Sequence, residues 1–261
     1  MEEPREEARR LYCGLTGRSV ADIVRGDIAP LIAAERVELF SWAERRAHGE
    51  PLAYLEGQVG FFGLELAVDS RVLIPRADSE CLVEVGLQFL AARASPSVLD
   101  IGTGSGCLLF ATLVNHAAAI GLGVDSSAGS LEVAAANCES LGLSSRASFH
   151  QGQWLSSLHA DPFDLILCNP PYVQPGEELG PGVEEFEPAA ALFTPPEDPM
   201  WAYRCVLAEV RPFLASDGLL LFEVGAGRVQ EVVDLVKAEG FQVGETYPDL
   251  AGIPRAVSVS L

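Results

Sequence analysis

The sequence predicts an α/β protein in which helices cover both faces of a mainly parallel sheet. From Asp78 onward, apolar runs of strand length alternate with amphipathic stretches of helical length, and this alternation is typical of βαβ units. The two final apolar runs lie too close together for an intervening helix, so we expect them to pair antiparallel at the sheet edge. Residues 1–50 carry apolar residues at helical spacing, which predicts a separate small helical domain.

A linker is expected between these two parts. Residues 61–68 and 72–74 are strand-like and flank the polar turn Asp69-Ser70-Arg71, so a β-hairpin is predicted within residues 51–77. The α/β domain then takes up residues 78–261.

The elements of the predicted α/β domain follow one another along the chain. Helices are expected at 79–92, 107–116, 128–141 and 200–214, and strands at 98–101, 119–124, 147–150, 163–168, 219–224, 241–247 and 256–261. The segment 174–199 is rich in proline, glycine and glutamate and is predicted to be a long loop. It is either a lid over a site or merely mobile.

The net charge of −20 is distributed unevenly. Residues 1–77 carry 10 basic and 13 acidic side chains, whereas residues 78–261 carry 7 and 24. Such an acidic α/β domain would repel a phosphate backbone, so no direct binding of nucleic acid is expected. The arginines of residues 1–50 either form a local basic face for an acidic partner or, interleaved with glutamates, a solvated surface.

The sequence predicts a cytoplasmic protein without a membrane span. No apolar run is long enough to cross a bilayer, and the first residues lack the basic and apolar regions of a signal peptide. The six cysteines form no CxxC pair and are expected to be reduced and buried. Neither cysteines nor histidines show metal-ligand spacing, so no metal is expected.

A glycine-rich loop follows the first predicted strand of the α/β domain. Gly102-Thr103-Gly104-Ser105-Gly106 lies between that strand and a helix, where alternating glycines let the chain turn sharply and let a ligand approach the backbone. This pattern alone is weak evidence for any particular cofactor, because dinucleotide-binding enzymes use similar loops. The next strand ends near Asp125, whose carboxylate can accept both hydroxyls of a ribose. The pair indicates an adenosine-type cofactor, unless Asp125 is only a helix cap.

The segment Asn169-Pro170-Pro171-Tyr172 directly follows the predicted strand 163–168. Two prolines stiffen the turn and remove two backbone donors, while the Asn169 amide oxygen adds an acceptor. Such a turn at a strand's carboxyl end suits gripping a planar NH2 group, although Asn-Pro is also ordinary turn chemistry. A nicotinamide enzyme has no need of it, whereas a methyltransferase acting on an amide or amine does.

The chain resembles the HemK/PrmC family of S-adenosylmethionine-dependent enzymes, which methylate glutamine N5 in peptide chain release factors. The resemblance covers nearly the whole chain. Besides the glycine loop and residues 169–172, it includes Pro51-Leu52-Ala53-Tyr54-Leu55-Glu56-Gly57, Phe62-Gly63-Leu64, Val72-Leu73-Ile74-Pro75-Arg76, Glu187-Pro188-Ala189-Ala190-Ala191-Leu192, Phe222-Glu223-Val224-Gly225 and Asp249-Leu250-Ala251-Gly252-Ile253-Pro254-Arg255.

This resemblance implies a seven-stranded, Rossmann-like class I methyltransferase sheet with an antiparallel last strand. It also implies an N-terminal domain that contacts the release factor. The protein is expected to act as a monomer on the factor's Gly-Gly-Gln loop. Residues 102–106 would line the methionine part of the cofactor, Asp125 would hold the ribose, and Gln153 and Trp154 would flank the adenine. The alternative interpretation is that Trp154 simply fills the protein core.

The acceptor side is implied in the same way. Asn169 and Pro170 would hold the glutamine amide, with Asn169 also next to the cofactor, Tyr172 would pack on the substrate side chain, and Pro171 and Arg76 would contact the substrate. The chain departs from the family pattern at Ala77, at Gln153 where aspartate is common, at Arg228 and at residues 198–200. The alternative hypotheses are methylation of a glutamine in another protein, methylation of adenine in DNA, and cofactor binding without catalysis.

Overall fold

The computed structural model describes residues 4–26 and 30–261. Its first part consists of α1 (Pro4–Thr16), α2 (Val20–Arg25), α3 (Ala33–Ala47) and α4 (Leu52–Glu56), which confirms the short helices predicted from the sequence. The start of that prediction, residues 1–3, and its stretch 27–29 lie outside the described residues. Leu11, Trp42 and Leu55 form the small core that holds the helices together.

A β-hairpin follows, but its turn is not the predicted one. The strands are β1 (Gln58–Phe61) and β2 (Leu64–Ala67), so the turn lies at Phe62-Gly63 rather than at 69–71. Both turn residues have positive φ, 48° and 77°, as a tight two-residue hairpin requires. Phenylalanine rarely adopts this conformation, so a turn at this position is not expected from the sequence. Glu80 holds the turn by accepting from the Phe62 N–H at 2.8 Å.

The α/β domain is built on a seven-stranded sheet. Its strands are β3 (Ser97–Ile101), β4 (Ile120–Asp125), β5 (Ala147–Gln151), β6 (Phe163–Cys168), β7 (Leu214–Glu223), β8 (Gln242–Pro248) and β9 (Pro254–Ser260). Their order is β5-β4-β3-β6-β7-β9-β8, with β9 antiparallel to both its neighbours and the other pairs parallel. The predicted fold class and the antiparallel final pair are therefore confirmed.

Helices cover both faces of the sheet. The helices are α5 (Glu80–Leu90), α6 (Cys107–Asn115), α7 (Ala128–Ser140), α8 (Val183–Phe186), α9 (Ala189–Leu192), α10 (Trp201–Val210) and α11 (Val229–Ala238). Successive residues of β6 alternate between the two cores: Leu165 and Leu167 pack with α5, α6 and α7, whereas Ile166 and Cys168 pack with α10 and α11. A strand buried on both faces reads as a continuous apolar run, as β6 does.

Besides the hairpin turn, the structure differs from the sequence prediction in three places. Helix α11 was not predicted, β7 begins at Leu214 instead of 219, and the segment 174–199 contains the short helices α8 and α9. That segment also pairs with the chain after β6 through a bridge between Val173 and Phe193. It is therefore not a simple loop. Among residues 4–26 and 30–261, no helix has both the length and the apolarity needed to cross a bilayer.

Candidate cofactor and acceptor site

A cleft of about 320 Å³ opens at the carboxyl ends of the central strands. Parallel pairing aligns Ile101 of β3 with Val124 of β4 on one side and with Cys168 of β6 on the other. The glycine loop, Asp125 and Asn169 each follow one of these aligned strand ends. They therefore meet at one edge of the sheet, which is where open α/β sheets bind ligands.

The glycine loop forms one wall of the cleft. Gly102 and Gly104 have φ of 74° and 54°, and a Cβ atom on either would have no neighbour closer than 3.9 Å. Side chains at these positions would therefore occupy the cleft instead of the protein interior. Gly106 has another role, because the Phe110 ring packs directly against it. A Cβ atom on residue 106 would lie 2.1 Å from Phe110 Cε2. It caps the start of α6 and does not line the cleft.

Asp125 lies at the end of β4 and lines the cleft. Its carboxylate accepts from the Gly104 N–H at 3.0 Å and from the Ser127 N–H at 2.9 Å. The cap of α7 itself is Ser127, whose hydroxyl accepts from Ser130 N. Asp125 thus joins the glycine loop to β4, and its remaining lone pairs can accept further hydrogen bonds.

Trp154 lines the cleft with an unusual backbone. Its φ is +53°, a value that costs energy for a bulky residue and persists only where the surroundings enforce it. Its ring meets Trp201 edge to face, with centroids 5.5 Å apart. The buried indole Nε1 has no acceptor among the described residues. Gln153 also lines the cleft and is exposed.

Two further polar groups lie under the glycine loop. Asp100, 1% exposed, accepts from the Thr103 hydroxyl at 2.7 Å, and burial raises its pKa to about 7. The Ser105 hydroxyl is buried and has no hydrogen bond to any described residue. Both residues line the cleft, so a bound ligand can supply the missing partners.

Asn169 and the two prolines form the acceptor side of the cleft. The Asn169 Nδ2 donates to the Ser79 hydroxyl at 3.2 Å, while no donor from the described part of the chain reaches its Oδ1. The carbonyl oxygen of Pro170 likewise accepts no hydrogen bond from residues 4–26 or 30–261. Asn169, Pro170 and Pro171 all line the cleft. The turn therefore presents unused acceptors beside the glycine loop.

Tyr172 lies outside the cleft lining. Its ring packs against Gly225, where a Cβ would be 3.0 Å from Cδ2, and its hydroxyl donates to Glu223 Oε1 at 3.3 Å. Burial is the main cause that raises the pKa of Tyr172. The expected contact of its ring with the substrate side chain stays a prediction.

Arg76 lines the cleft and is ion-paired to a buried carboxylate behind the cleft lining. Its guanidinium binds Glu187, whose other carboxylate oxygen accepts from Ile74 N at 3.0 Å. The Glu187 side chain is 1% exposed, and its neighbours Pro188, Ala190 and Ala191 form part of the cleft wall. The segment 183–192 therefore contributes to the cleft wall and is anchored there by Glu187.

The structure brings together most of the residues predicted from the sequence. Of the predicted site residues, Arg76, Gly102, Thr103, Gly104, Ser105, Asp125, Gln153, Trp154, Asn169, Pro170 and Pro171 line the cleft, whereas Gly106 and Tyr172 do not. Sequence reasoning missed Ser79, Asp100 and Trp201. Asp100 had a signal, since it is a lone carboxylate inside a buried strand directly before the glycine loop.

Family models and curated relatives match this chain over nearly its full length. Residues 1–57 match the PrmC N-terminal domain, and residues 79–192 match the methyltransferase small domain. The release factor glutamine methyltransferase of Rhodospirillum rubrum is 38% identical over 98% of this chain and 79% of its own length. The one from Caulobacter vibrioides is 35% identical over 98% of this chain and 89% of its own length.

Solved structures agree on the fold of the catalytic part. The catalytic domain of hMettl16 superposes with a TM-score of 0.61 at 14% identity, covering 87% of this chain and 82% of that one. The ribosomal protein L11 methylase from Lactobacillus delbrueckii subsp. bulgaricus gives 0.51 at 19% identity, covering 70% and 78%. With the sequence matches over nearly the full length, the chain belongs to the release factor glutamine methyltransferase family.

Proposed function

We propose that this protein transfers a methyl group from S-adenosylmethionine to the side-chain nitrogen N5 of the glutamine in the Gly-Gly-Gln loop of class I peptide chain release factors. One observation carries the proposal. Asn169 turns its NH2 group toward Ser79, which leaves its Oδ1 and the Pro170 carbonyl as unused acceptors beside the glycine loop. Two such acceptors match the two N–H bonds of a primary amide.

The cleft residues fit the proposed cofactor. Two buried polar atoms, Ser105 Oγ and Trp154 Nε1, lack partners among the described residues, and the glycine loop leaves open space above Gly102 and Gly104. Asp125 would accept the ribose hydroxyls, and Trp154 and Gln153 would border the adenine. Asp100 offers a buried carboxyl toward a cationic amino group. When bound, S-adenosylmethionine supplies a methyl group made electrophilic by its positively charged sulfur.

An amide nitrogen is a poor nucleophile, because its lone pair is delocalised into the carbonyl. Asn169 Oδ1 and the Pro170 carbonyl would accept the two N–H bonds and fix the direction of the nitrogen, so that positioning carries most of the rate. Positive charge develops on nitrogen as the N–C bond forms, and hydrogen bonds to these acceptors strengthen with it. The methylated nitrogen is acidic and loses its proton to water, so the mechanism needs no strong base.

The other parts of the chain support a proposed partner and cellular location. The helices of residues 1–50 would meet the release factor, with the hairpin as linker to the catalytic domain. The acidic charge of residues 78–261 disfavours a nucleic-acid substrate, since phosphates would be repelled. We propose a monomer that works in the cytoplasm, where release factors act.

The direct test is incubation of the purified protein with labelled S-adenosylmethionine and class I release factors, followed by mass mapping of the methyl group. The proposal expects label on the glutamine of the Gly-Gly-Gln segment. Label on a ribosomal protein, on another protein or on adenine would refute the substrate assignment. Absence of transfer despite cofactor binding by calorimetry would refute the enzymatic reading.

A variant tests the acceptor role. Asn169→Ala should bind the cofactor normally and lose transfer, because one acceptor for the substrate amide is gone. Asn115→Ala is a matched control, since Asn115 is exposed at the end of α6 and bonds only Ala111 O at 2.9 Å. Full transfer by Asn169→Ala would contradict the assigned role.

A further inference from the structure

Both polar side chains of the acceptor turn connect to one buried carboxyl group. Tyr172 donates directly to Glu223 Oε1 at 3.3 Å. Asn169 reaches the same group indirectly. Its Nδ2 donates to the Ser79 hydroxyl at 3.2 Å, and Ser79 lowers the pKa of the Glu223 carboxyl, although no regular hydrogen bond joins Ser79 to Glu223 in the structure. Glu223 ends β7 and does not line the cleft.

Glu223 is held in place by its backbone as well as its side chain. Its carbonyl oxygen accepts from the buried Tyr203 hydroxyl at 2.9 Å, and its backbone pairs with Ala256 of β9. The residue is 2% exposed. Its Oε2 is buried and has no regular hydrogen bond to a described residue, so one carboxyl oxygen is open to a proton.

The direction of the hydrogen bonds follows from counting protons. A serine hydroxyl has one hydrogen, and if that hydrogen points at an ionised Glu223, Ser79 can only accept from Asn169. The Asn169 NH2 then faces Ser79, as it does in the structure, and its Oδ1 is left to face the cleft. A protonated Glu223 donates instead, Ser79 donates onward to the Asn169 oxygen, and the amide turns its NH2 into the cleft.

We propose that Glu223 is a positioning residue which, in its ionised form and through Ser79, holds the Asn169 oxygen toward the substrate amide. This inference rests on the proposed function. It assigns Ser79 the role of relay and Tyr172 that of a second donor to the same carboxylate. In the reversed arrangement two NH2 groups face each other, so the substrate amide loses an acceptor and is not held for transfer.

Charged and titratable groups around Glu223 decide where this change occurs. Burial raises the pKa of Glu223 to about 7, while Ser79, Tyr172 and Arg255 oppose the rise and Asp78 adds to it. The groups that surround it on the neighbouring elements are Asp78, Cys81, Cys107, Cys168, Tyr172, Tyr203 and Arg255. Arg255 is itself paired to Asp78 at 2.8 Å. The reversal therefore falls within the pH range of an ordinary assay.

The experiment measures kcat and kcat/KM for a release factor between pH 5.5 and 8.5 at saturating S-adenosylmethionine. The wild type should lose activity as pH falls through about 7, approaching tenfold per unit, because protonation removes the competent form. Glu223→Gln should lower kcat about tenfold at pH 8, the equivalent of one hydrogen bond, and show no such acid limb. Cofactor affinity by calorimetry should be unchanged in this variant.

A second variant separates the relay from a through-space effect of the charge. Ser79→Ala keeps Glu223 but breaks the link to Asn169, so it should also lose the acid limb. Tyr172→Phe removes a donor to the carboxylate and should move the limb to higher pH. An acid limb that persists in Ser79→Ala or Glu223→Gln would overturn the proposal.

Asp100 is the competing source of a limb near pH 7, because its pKa is also raised to about 7. It lines the cofactor side, so its titration should change the dissociation constant of S-adenosylmethionine, whereas that of Glu223 should not. Asp100→Asn should therefore keep the acid limb of kcat. If the wild type methylated no release factor, the proposed function itself would be refuted. If the wild type were active and the variants kept its acid limb, only the role of Glu223 would be refuted.

Discussion

Asn137 of α7 pairs with the backbone of Ala67 in β2 as a neighbouring strand would. Its Oδ1 accepts from Ala67 N at 2.7 Å and its Nδ2 donates to Ala67 O at 3.0 Å. The same Nδ2 donates to Ser105 O at 3.0 Å. One buried amide thus fixes the hairpin to the catalytic domain and to the glycine loop.

Asn137→Ala should therefore be strongly destabilising. It removes the partner of Ser105 O in a buried contact and the partners of the Ala67 N–H and C=O at a more exposed edge, so the expected loss is roughly 1–3 kcal/mol of the free energy of unfolding. Cofactor affinity should fall as well, since Ser105 O loses its anchor. Urea denaturation and calorimetry measure both, with the exposed Asn115→Ala expected to change stability by less than about 0.5 kcal/mol. Equal stability of the two variants would show that the clamp is dispensable.

The pair of Arg76 and Glu187 should respond asymmetrically to substitution. Arg76→Ala leaves a buried carboxylate whose remaining donor among the described residues is the Ile74 N–H, and we expect a loss of roughly 1–3 kcal/mol because Arg76 is partly exposed. Glu187→Gln keeps an acceptor for Ile74 and should cost less. Protease cleavage within residues 183–192 should accelerate in the first variant only.

The matched control for this pair is Arg204→Ala, which breaks an exposed ion pair with Asp198 at 2.9 Å. Exposed pairs contribute about 0–1 kcal/mol, so this variant should resemble the wild type in denaturation and in proteolysis. If Arg76→Ala and Arg204→Ala behaved alike, the pair would not anchor the segment.

Asp125→Ala should weaken the binding of S-adenosylmethionine. The substitution removes a charged acceptor for the ribose and frees the Gly104 N–H, so we expect roughly a tenfold to hundredfold higher dissociation constant, from hydrogen bonds of about 1.5–3 kcal/mol. Calorimetry measures it directly. Glu139→Gln also removes one negative charge, but at an exposed position of α7, and should bind like the wild type.

Much of the fold could be predicted because buried parallel strands read as apolar runs. Strand β6 was predicted to the residue and β3 and β4 to within one, whereas α11 was missed. Helix α11 does carry a helical apolar spacing, with Val232 and Val236 fully buried, but Arg228 provides no side-chain cap to mark its start. The hairpin turn was misplaced because Phe62 adopts a conformation its residue type disfavours.

The site divides in the same way. Residues at strand ends, such as Asp125 and Asn169, could be predicted because the topology alone brings strand ends together. The link from Asn169 through Ser79 to Glu223 could not, since Ser79 lies in a 3-10 helix before α5 and Glu223 ends β7. Glu223 looks like an ordinary polar strand end until the pairing of β9 covers it.

Intrinsic fluorescence should report cofactor binding. Two tryptophans, Trp154 and Trp201, line the cleft in edge-to-face contact, whereas Trp42 lies in the core of the N-terminal helices. Titration with S-adenosylmethionine should change the emission of the wild type and of Trp42→Phe. The same titration should change the emission of the double variant Trp154→Phe, Trp201→Phe only slightly. A double variant with the full wild-type signal would place the adenine elsewhere.

Stability should fall as pH rises toward neutrality, because burial raises the pKa of Asp100 to about 7 from 3.8. The folded protein then keeps a proton that the unfolded chain releases, so this contribution is complete below about pH 4 and lost as pH rises through about 7. Glu223 acts in the same direction from 4.5 to about 7. Asp100→Asn should flatten the decline in the free energy of unfolding between pH 5 and 6.5 by about 1.4 kcal/mol per pH unit. Urea denaturation across this range measures the slope, and the exposed Asp234→Asn should keep the wild-type value; an unchanged slope in Asp100→Asn would mean that Asp100 is ionised in the folded protein.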